Sequence, residues 1–266
     1  MSTTDDERLP AFEGSVVVLS PHLDDAVLSL GASIAASVRR GATVRIVTVF
    51  AGDPGTTRPS STWEVRCGFA SAAEAAQKRR IEDLAACRRI GATPAWLAYP
   101  DVDHAEERNT DQIGTAIEEA IVGADMVLMP GFPLVHPDHL QVTKLALERR
   151  SPAVRFGFYA EQPYVFWELV GPRSARSRVA VWGGCMLRTR GTRRILEPIT
   201  PPVLDPWAAS LDWRVCPTRP RAELAKLRAI SAYTSQLHGF GRLFTSQLVL
   251  YEWARGGESI AWLAPG

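Results

Sequence analysis

Three of the chain's five histidines fall in two short motifs, Pro21-His22-Leu23-Asp24-Asp25 and His136-Pro137-Asp138-His139. In each, two metal-ligand side chains stand three residues apart: His22 with Asp25, and His136 with His139. At the first turn of a helix, that spacing projects both side chains to one side. Imidazole and carboxylate suit Zn²⁺ or a similar divalent ion. Two histidines and one carboxylate leave a coordination position open, as catalytic zinc requires. Asp24, between the first pair, is placed to take a proton from a water that such an ion activates. The chemistry this combination points to is metal-assisted hydrolysis. Each motif also has a plainer reading taken singly. Asp24-Asp25 reads as a cap complementing a helix dipole, and an isolated H-x-x-H is weak evidence of metal.

The elements that must position these residues follow from hydrophobic periodicity. Ser15–Ser20 is a short apolar run, a buried strand, and Ala26–Arg40 has helical spacing that stops at Gly41. Thr43–Phe50 is β-branched and apolar, a second strand. Then come a long Gly/Pro/Ser/Thr-rich loop from Gly52, a helix over Ala72–Ile90, a strand over Ala95–Tyr99 and a helix over Thr110–Ile121. A strand over Asp125–Met129, a helix over His139–Arg150 and a strand over Val154–Tyr159 follow. This alternation predicts an α/β fold, a Rossmann-like, mostly parallel sheet with helices on both faces. Both histidine motifs then sit at strand-to-helix junctions, where open α/β sheets bind ligands. Beyond Glu161 the pattern degrades. A hairpin around Val179–Trp182, a turn-rich stretch with Pro201, Pro202 and Pro206, and helices over Arg221–Leu237 and Arg242–Arg255 are expected. The chain therefore reads as one domain, a core over about 15–160 and a smaller C-terminal elaboration over about 161–266.

Composition excludes several partners. Across 266 residues, 30 basic against 29 acidic side chains leave a net charge of +1, which gives no general attraction to nucleic acid or an anionic membrane. No apolar run approaches the roughly 20 residues of a membrane helix. Met1–Arg8 is acidic and polar, unlike a secretory signal, so a cytoplasmic location is expected. Cys67, Cys87, Cys185 and Cys216 are widely and irregularly spaced, and read as reduced thiols rather than a disulfide framework.

The two motifs, in this order, resemble those of the PIG-L/LmbE family of zinc-dependent N-acetylglucosaminyl de-N-acetylases. His22–Asp25 is similar to that family's first motif, usually H-P-D-D, and His136–His139 matches its H-P-D-H. Arg80–Asp83, in a helix ending at Gly91, resembles the family's Arg-x-x-Glu helix, with Asp83 at the Glu position. Lys226–Gln236 resembles its C-terminal Lys…Tyr-x-Ser-Gln helix. The resemblance implies His22, Asp25 and His139 as zinc ligands and Asp24 as the general base. It implies that His136 donates to the developing oxyanion or protonates the leaving amine. Asp138 would orient a neighbouring imidazole. The implied metal is one Zn²⁺ per chain, with Fe²⁺ as an alternative, and the implied substrate is a small-molecule amino-sugar conjugate. Leu23 replaces the usual Pro, and Ala26 stands where many members carry Glu. Both departures occur in the branch associated with natural-product tailoring of glycopeptides and aminoglycosides.

Other candidates are weaker. Arg80, Asp101, His104, Trp63 and Tyr164 are candidate substrate contacts, although His104 also reads as a solvated loop residue. Trp167, Phe166 and Tyr159 could stack on a sugar, but most aromatics are core. His238 reads as a helix-end residue facing the dipole. Residues 52–69 read as a mobile substrate loop. Arg188, Arg190, Arg193 and Arg194 form a solvated face or meet an anionic substrate. Two rival functions are a nucleotide-dependent oxidoreductase and a non-catalytic, metal-stabilised carbohydrate-binding module. Against the first, the opening βα turn carries adjacent carboxylates and no Gly-rich phosphate loop. Against the second, Asp24 and His136 are not needed for a structural metal.

Overall fold

The structure, a computed structural model, describes residues 12–55, 58–105, 107–170, 204–206, 211, 213–217, 219–241 and 244–264. Its centre is a run of five parallel strands: β1 (Ser15–Ser20), β2 (Thr43–Thr48), β3 (Thr93–Trp96), β4 (Met126–Phe132) and β5 (Arg155–Ala160). Two further strands, β6 (Arg214–Cys216) and β7 (Glu258–Trp262), extend the same sheet antiparallel beyond β5. The spatial order is β3-β2-β1-β4-β5-β7-β6, so the winding direction reverses between β1 and β4. That reversal opens a crevice at the strands' carboxyl ends, the usual ligand position of such a sheet.

Side chains of β1 alternate between two apolar layers. Val16 and Val18 face one layer, with Leu30 and Ile34 of α1 (Asp25–Val38) and Ala86 and Ile90 of α3 (Ala72–Ile90). Val17 and Leu19 face the other, with Ile113 and Ile117 of α4 (Thr110–Ile121) and Val142 and Ala146 of α5 (Pro137–Glu148). Both faces are thus covered by helices, and the βα junctions at Ser20 and Phe132 are fixed beside each other.

Several sequence expectations change. The 52–69 stretch contains a short helix, α2 (Thr62–Arg66), started by a capping box in which Ser61 and Glu64 satisfy each other's backbone N–H groups. The helix expected over Arg221–Leu237 is two, α7 (Pro220–Ile230) and α8 (Thr234–Phe240). The break is imposed by α3. Tyr233 Oη donates to Asp83 Oδ1 at 2.8 Å, and Glu82 accepts the Ser235 N–H at 2.9 Å and both the Thr234 and Ser235 hydroxyls. Helices α6 (Tyr164–Val170) and α9 (Phe244–Arg255) complete the set. The expected hairpin near Val179–Trp182, Pro201, Pro202, Cys185 and the 188–194 arginines lie outside the described residues. Cys67, Cys87 and Cys216 are buried free thiols. Among the described residues no helix is long and apolar enough to cross a membrane.

Candidate active site

The turn after β1 places the first motif. Ser20 Oγ donates to the His22 carbonyl at 2.7 Å and accepts the Ala26 N–H at 3.1 Å, which anchors the start of α1. Asp24 occupies the N-cap position but makes no side-chain cap, so the plain capping reading does not hold for it. Asp25 Oδ2 accepts the His22 N–H at 2.8 Å. After β4, His136 is the N-cap of α5 and Pro137 follows at the first helical turn, where its missing N–H has no cost.

Across the crevice three ligand atoms close a nearly regular triangle. Asp25 Oδ2 lies 3.3 Å from His22 Nδ1 and 3.2 Å from His139 Nε2, and the two nitrogens are 3.3 Å apart. A tetrahedral ion with ligand bonds of about 2.0–2.1 Å needs ligand atoms about 3.3 Å apart, so the donor set fits zinc. The remaining ring nitrogens are each held by a carboxylate. His22 Nε2 faces Asp138 Oδ2 at 2.9 Å, and His139 Nδ1 contacts Glu161 Oε2. Such partners fix the tautomer and aim the other nitrogen at the metal. Asp138 therefore serves His22 across the crevice, and it also accepts from Val102 N and Arg108. A looser group of His22, His136 and His139 has ligand atoms within 4.8 Å. His136 Nδ1, however, accepts the Asp138 N–H at 3.2 Å, and the tighter triangle is the one through Asp25.

The electrostatics favour a cation at this point. Burial opposes protonation of His22, yet its hydrogen bonds to the Asp138 and Asp25 carboxylates push its pKa up to about 9. Burial likewise opposes protonation of His139, and the Asp25 and Glu161 charges push it up to about 10. Burial would raise Asp25, but His139 and His22 hold it well below the usual carboxylate range. Asp24 behaves oppositely: burial and then the Asp25 charge raise it to about 7, against the pull of Arg79. His136 is pushed down to about 4 by burial, then by His22 and His139, so it is neutral near pH 7. Because its Nδ1 is an acceptor, the neutral ring carries its proton on Nε2.

These groups open on a cavity of about 250 Å³. Its lining includes polar side chains, Asp24, Arg79, Asp101 and Asp103, and aromatic ones, Trp63, Tyr164, Trp167 and Phe240. Trp63 Nε1 donates to Gln236 Oε1 at 2.9 Å, and its ring lies 5.0 Å from Phe240. The Tyr164 ring is 4.9 Å from His139. Among the sequence candidates the structure thus brings His22, Asp24, Asp25, His136, Asp101, Trp63 and Tyr164 to the cavity, with His139 and Asp138 directly behind it.

Arg80 is a correction. It donates to the Ala51 carbonyl and lies over Trp96 in a separate surface groove, facing away from the cavity. The cavity arginine is Arg79, whose Nη2 is 3.9 Å from Asp24 Oδ1. Taking Arg79-x-x-Glu82 as the Arg-x-x-Glu pattern removes the apparent departure at Asp83 and places both residues inward. His104 is neither solvated nor in the cavity. It is buried, with Nε2 3.1 Å from Glu64 Oε1, so that it joins the 101–104 turn to α2. Phe166 packs on Tyr251, and Tyr159 donates to the Leu19 carbonyl in the core. His238 lies in the last turn of α8, at the helix end where it was expected. Phe240 and Glu161 carry no local spacing signal that would have singled them out, although Glu161 does follow a strand end; Arg79 is marked by its spacing to Glu82, and Gln236 closes the C-terminal resemblance.

An α/β sheet with a His/Asp/His donor set at its switch point, faced by a second carboxylate and a third imidazole, fits the pattern of a metal-assisted hydrolase. A family model, "GlcNAc-PI de-N-acetylase" (PIG-L), matches residues 17–149, half of the chain. The chain belongs to that family. It is 31% identical over 168 residues to a 2'-N-acetylparomamine deacetylase from Streptomyces fradiae, a match over 57% of this chain and 58% of that protein. The chain thus matches a little over half the length of this curated relative. Its fold is similar to a deacetylase triple mutant of the teicoplanin biosynthetic pathway (TM-score 0.71, 21% identity, 95% of this chain and 98% of that one). It is also similar to the A40926 pseudoaglycone deacetylase (TM-score 0.67, 24% identity, 93% and 96%).

Proposed function

We propose that this protein is a zinc-dependent N-deacetylase that hydrolyses the acetamide of a GlcNAc-type amino sugar in a small-molecule glycoconjugate, of the kind met in antibiotic biosynthesis. The observation that carries the reading is the triangle of His22 Nδ1, Asp25 Oδ2 and His139 Nε2, with edges of 3.2–3.3 Å, opening on Asp24 and His136. His22, Asp25 and His139 would hold the zinc, which would supply Lewis acidity for an amide carbonyl and lower the pKa of water toward neutrality. Asp24, on the cavity wall and unused as a cap, takes the proton from the attacking water and returns it to the departing nitrogen. His136 Nε2–H donates to the carbonyl oxygen as negative charge develops. Its Nδ1 is engaged by the Asp138 N–H, and the ring is neutral near pH 7, so the donor role fits better than that of a proton source. Arg79 faces Asp24 and holds it toward the cavity. A lining of both aromatic and polar side chains suits a sugar, which has an apolar face and a hydroxyl edge. The likeness to a 2'-N-acetylparomamine deacetylase supports a small amino-sugar conjugate as substrate.

The test is acetate release by zinc-loaded protein from 2'-N-acetylparomamine and from a GlcNAc-bearing glycopeptide, followed by mass spectrometry. Asp24→Asn should lower kcat by about 10²–10⁴ with zinc still bound. Absence of release from both scaffolds, or undiminished turnover in D24N, refutes the reading.

A further inference from the structure

The carboxylate after β5 has two tasks. Glu161 is almost wholly buried, at 1% exposure, and both its oxygens are engaged. Oε2 contacts His139 Nδ1, and Oε1 accepts the Leu134 N–H at 3.0 Å. Its backbone is fixed on both sides: its N–H donates to the Phe132 carbonyl at 2.7 Å, and its carbonyl accepts the Val165 N–H at 2.8 Å. Leu134 is the only non-glycine with a positive φ among the described residues, at 54°. A left-handed leucine needs its surroundings to hold it there. Two residues further on, that turn presents His136.

We infer that Glu161 is the positioning residue that couples the metal ligand His139 to the oxyanion donor His136. It holds the proton on His139 Nδ1, which leaves the Nε2 lone pair for zinc. With its other oxygen it pins the turn that aims His136. Both partners are donors, so the position requires two acceptors at once. A carboxylate supplies them; an amide supplies one. This inference rests on the zinc deacetylase reading above.

The experiment compares Glu161→Gln and Glu161→Asp with wild type by zinc affinity, measured by chelator competition, and by steady-state kinetics on the released acetate. Glutamine matches glutamate in shape but presents an N–H to one of the two donors. Aspartate is a methylene short but keeps two acceptors. A need for two acceptors ranks E161D above E161Q, with E161Q losing about 10–100-fold in zinc affinity and losing kcat more than it raises KM. A space-filling role gives the opposite order, and that result overturns the inference. Should E161Q fail to melt cooperatively, E161D decides: zinc affinity within tenfold of wild type supports the two-acceptor requirement, and a larger loss overturns it. If wild type itself binds no zinc, the deacetylase reading falls and this inference with it. If wild type binds zinc and turns over while E161Q matches it, only the inference falls.

Discussion

Lys226 offers a quantitative check on how the C-terminal segment supports the site. Its ammonium is buried and donates to Glu252 Oε1 at 2.6 Å and Glu258 Oε1 at 2.7 Å. Its stem passes under α1 at Gly31, where a Cβ would come within 3.0 Å of Lys226 Cγ. Glu258 in turn accepts the Ala32 and Ser33 N–H groups of α1 at 2.9 and 2.7 Å. Lys226→Met keeps most of the stem and deletes the charge, leaving the buried Glu252 and Glu258 carboxyl groups without their cation. Breaking a buried ion cluster in this way costs about 3–5 kcal/mol. At about 2–4 °C per kcal/mol for a chain of this size, Tm should fall by roughly 6–20 °C. The pH dependence has a definite sign. Burial raises Glu252 to about 8 from 4.5, with Lys226 opposing the rise and Glu258 adding to it. The folded state therefore binds this proton more tightly than the unfolded chain does. Its contribution is complete below about 4.5 and is lost as the pH climbs toward about 8. Without Lys226 the opposing cation is gone, so Glu252 holds its proton to higher pH and the variant keeps losing stability above about pH 8, where the wild-type contribution levels off. Urea midpoints at about pH 5 and about pH 9, with free zinc held constant because bound metal adds apparent stability, measure both effects. Equal midpoints at the higher pH, or a variant that gains on wild type as the pH rises, would refute the reasoning.

The other expectations concern the cavity. His136→Ala should keep zinc at wild-type stoichiometry while kcat falls about 10²–10³, the loss typical of one oxyanion donor; loss of the metal instead would make His136 a ligand. Arg79→Met should lower kcat/KM, whereas Arg80→Met should leave it near wild type, and the reverse order in steady-state assays would return the cavity role to Arg80. Trp63→Ala should raise KM by up to about tenfold with kcat little changed, as loss of a stacking face does; an effect confined to kcat would remove Trp63 from sugar binding.

What the sequence made legible is what is local. His22, Asp24 and Asp25 share one strand-to-helix turn, and His136 and His139 share another. Their relevance follows from residue type, spacing and the position of the strand ends, because adjacent residues in a turn are fixed by the same few backbone angles. The alternation of strands and helices gave the sheet for the same reason. The residues that escaped are defined by distant partners. Glu161 matters because β5 lies beside β4, and a lone glutamate after a strand has no pattern of its own. The helix expected over Arg221–Leu237 is broken by Glu82 and Asp83, about 150 positions earlier in the chain, although periodicity carries through the break. His104 reads as a loop residue until Glu64 is placed against it. One miss was avoidable. Ser61-x-x-Glu64 is a readable capping box, and it marks α2 inside what looked like an unstructured stretch.

The C-terminal resemblance, Lys226 to Gln236, takes on a different meaning once its contacts are traced. Lys226 secures α1, the helix that begins with Asp25. Tyr233, Thr234 and Ser235 bind Asp83 and Glu82 of α3, the helix that carries Arg79. Gln236 holds Trp63 and is the member of this stretch that reaches the cavity. The segment thus acts on the site chiefly through the helices it fixes: one carries Asp25 of the His22–Asp25–His139 triangle, the other the cation facing Asp24. The ligand triangle has edges of 3.2–3.3 Å, and a shift of about 1 Å is enough to cost 10²-fold in rate. Such a site needs its two ligand-bearing turns held from outside the turns themselves. The buried charges on Lys226, Glu82 and Glu258 fulfil that need, and their cost in desolvation is repaid in position rather than in stability.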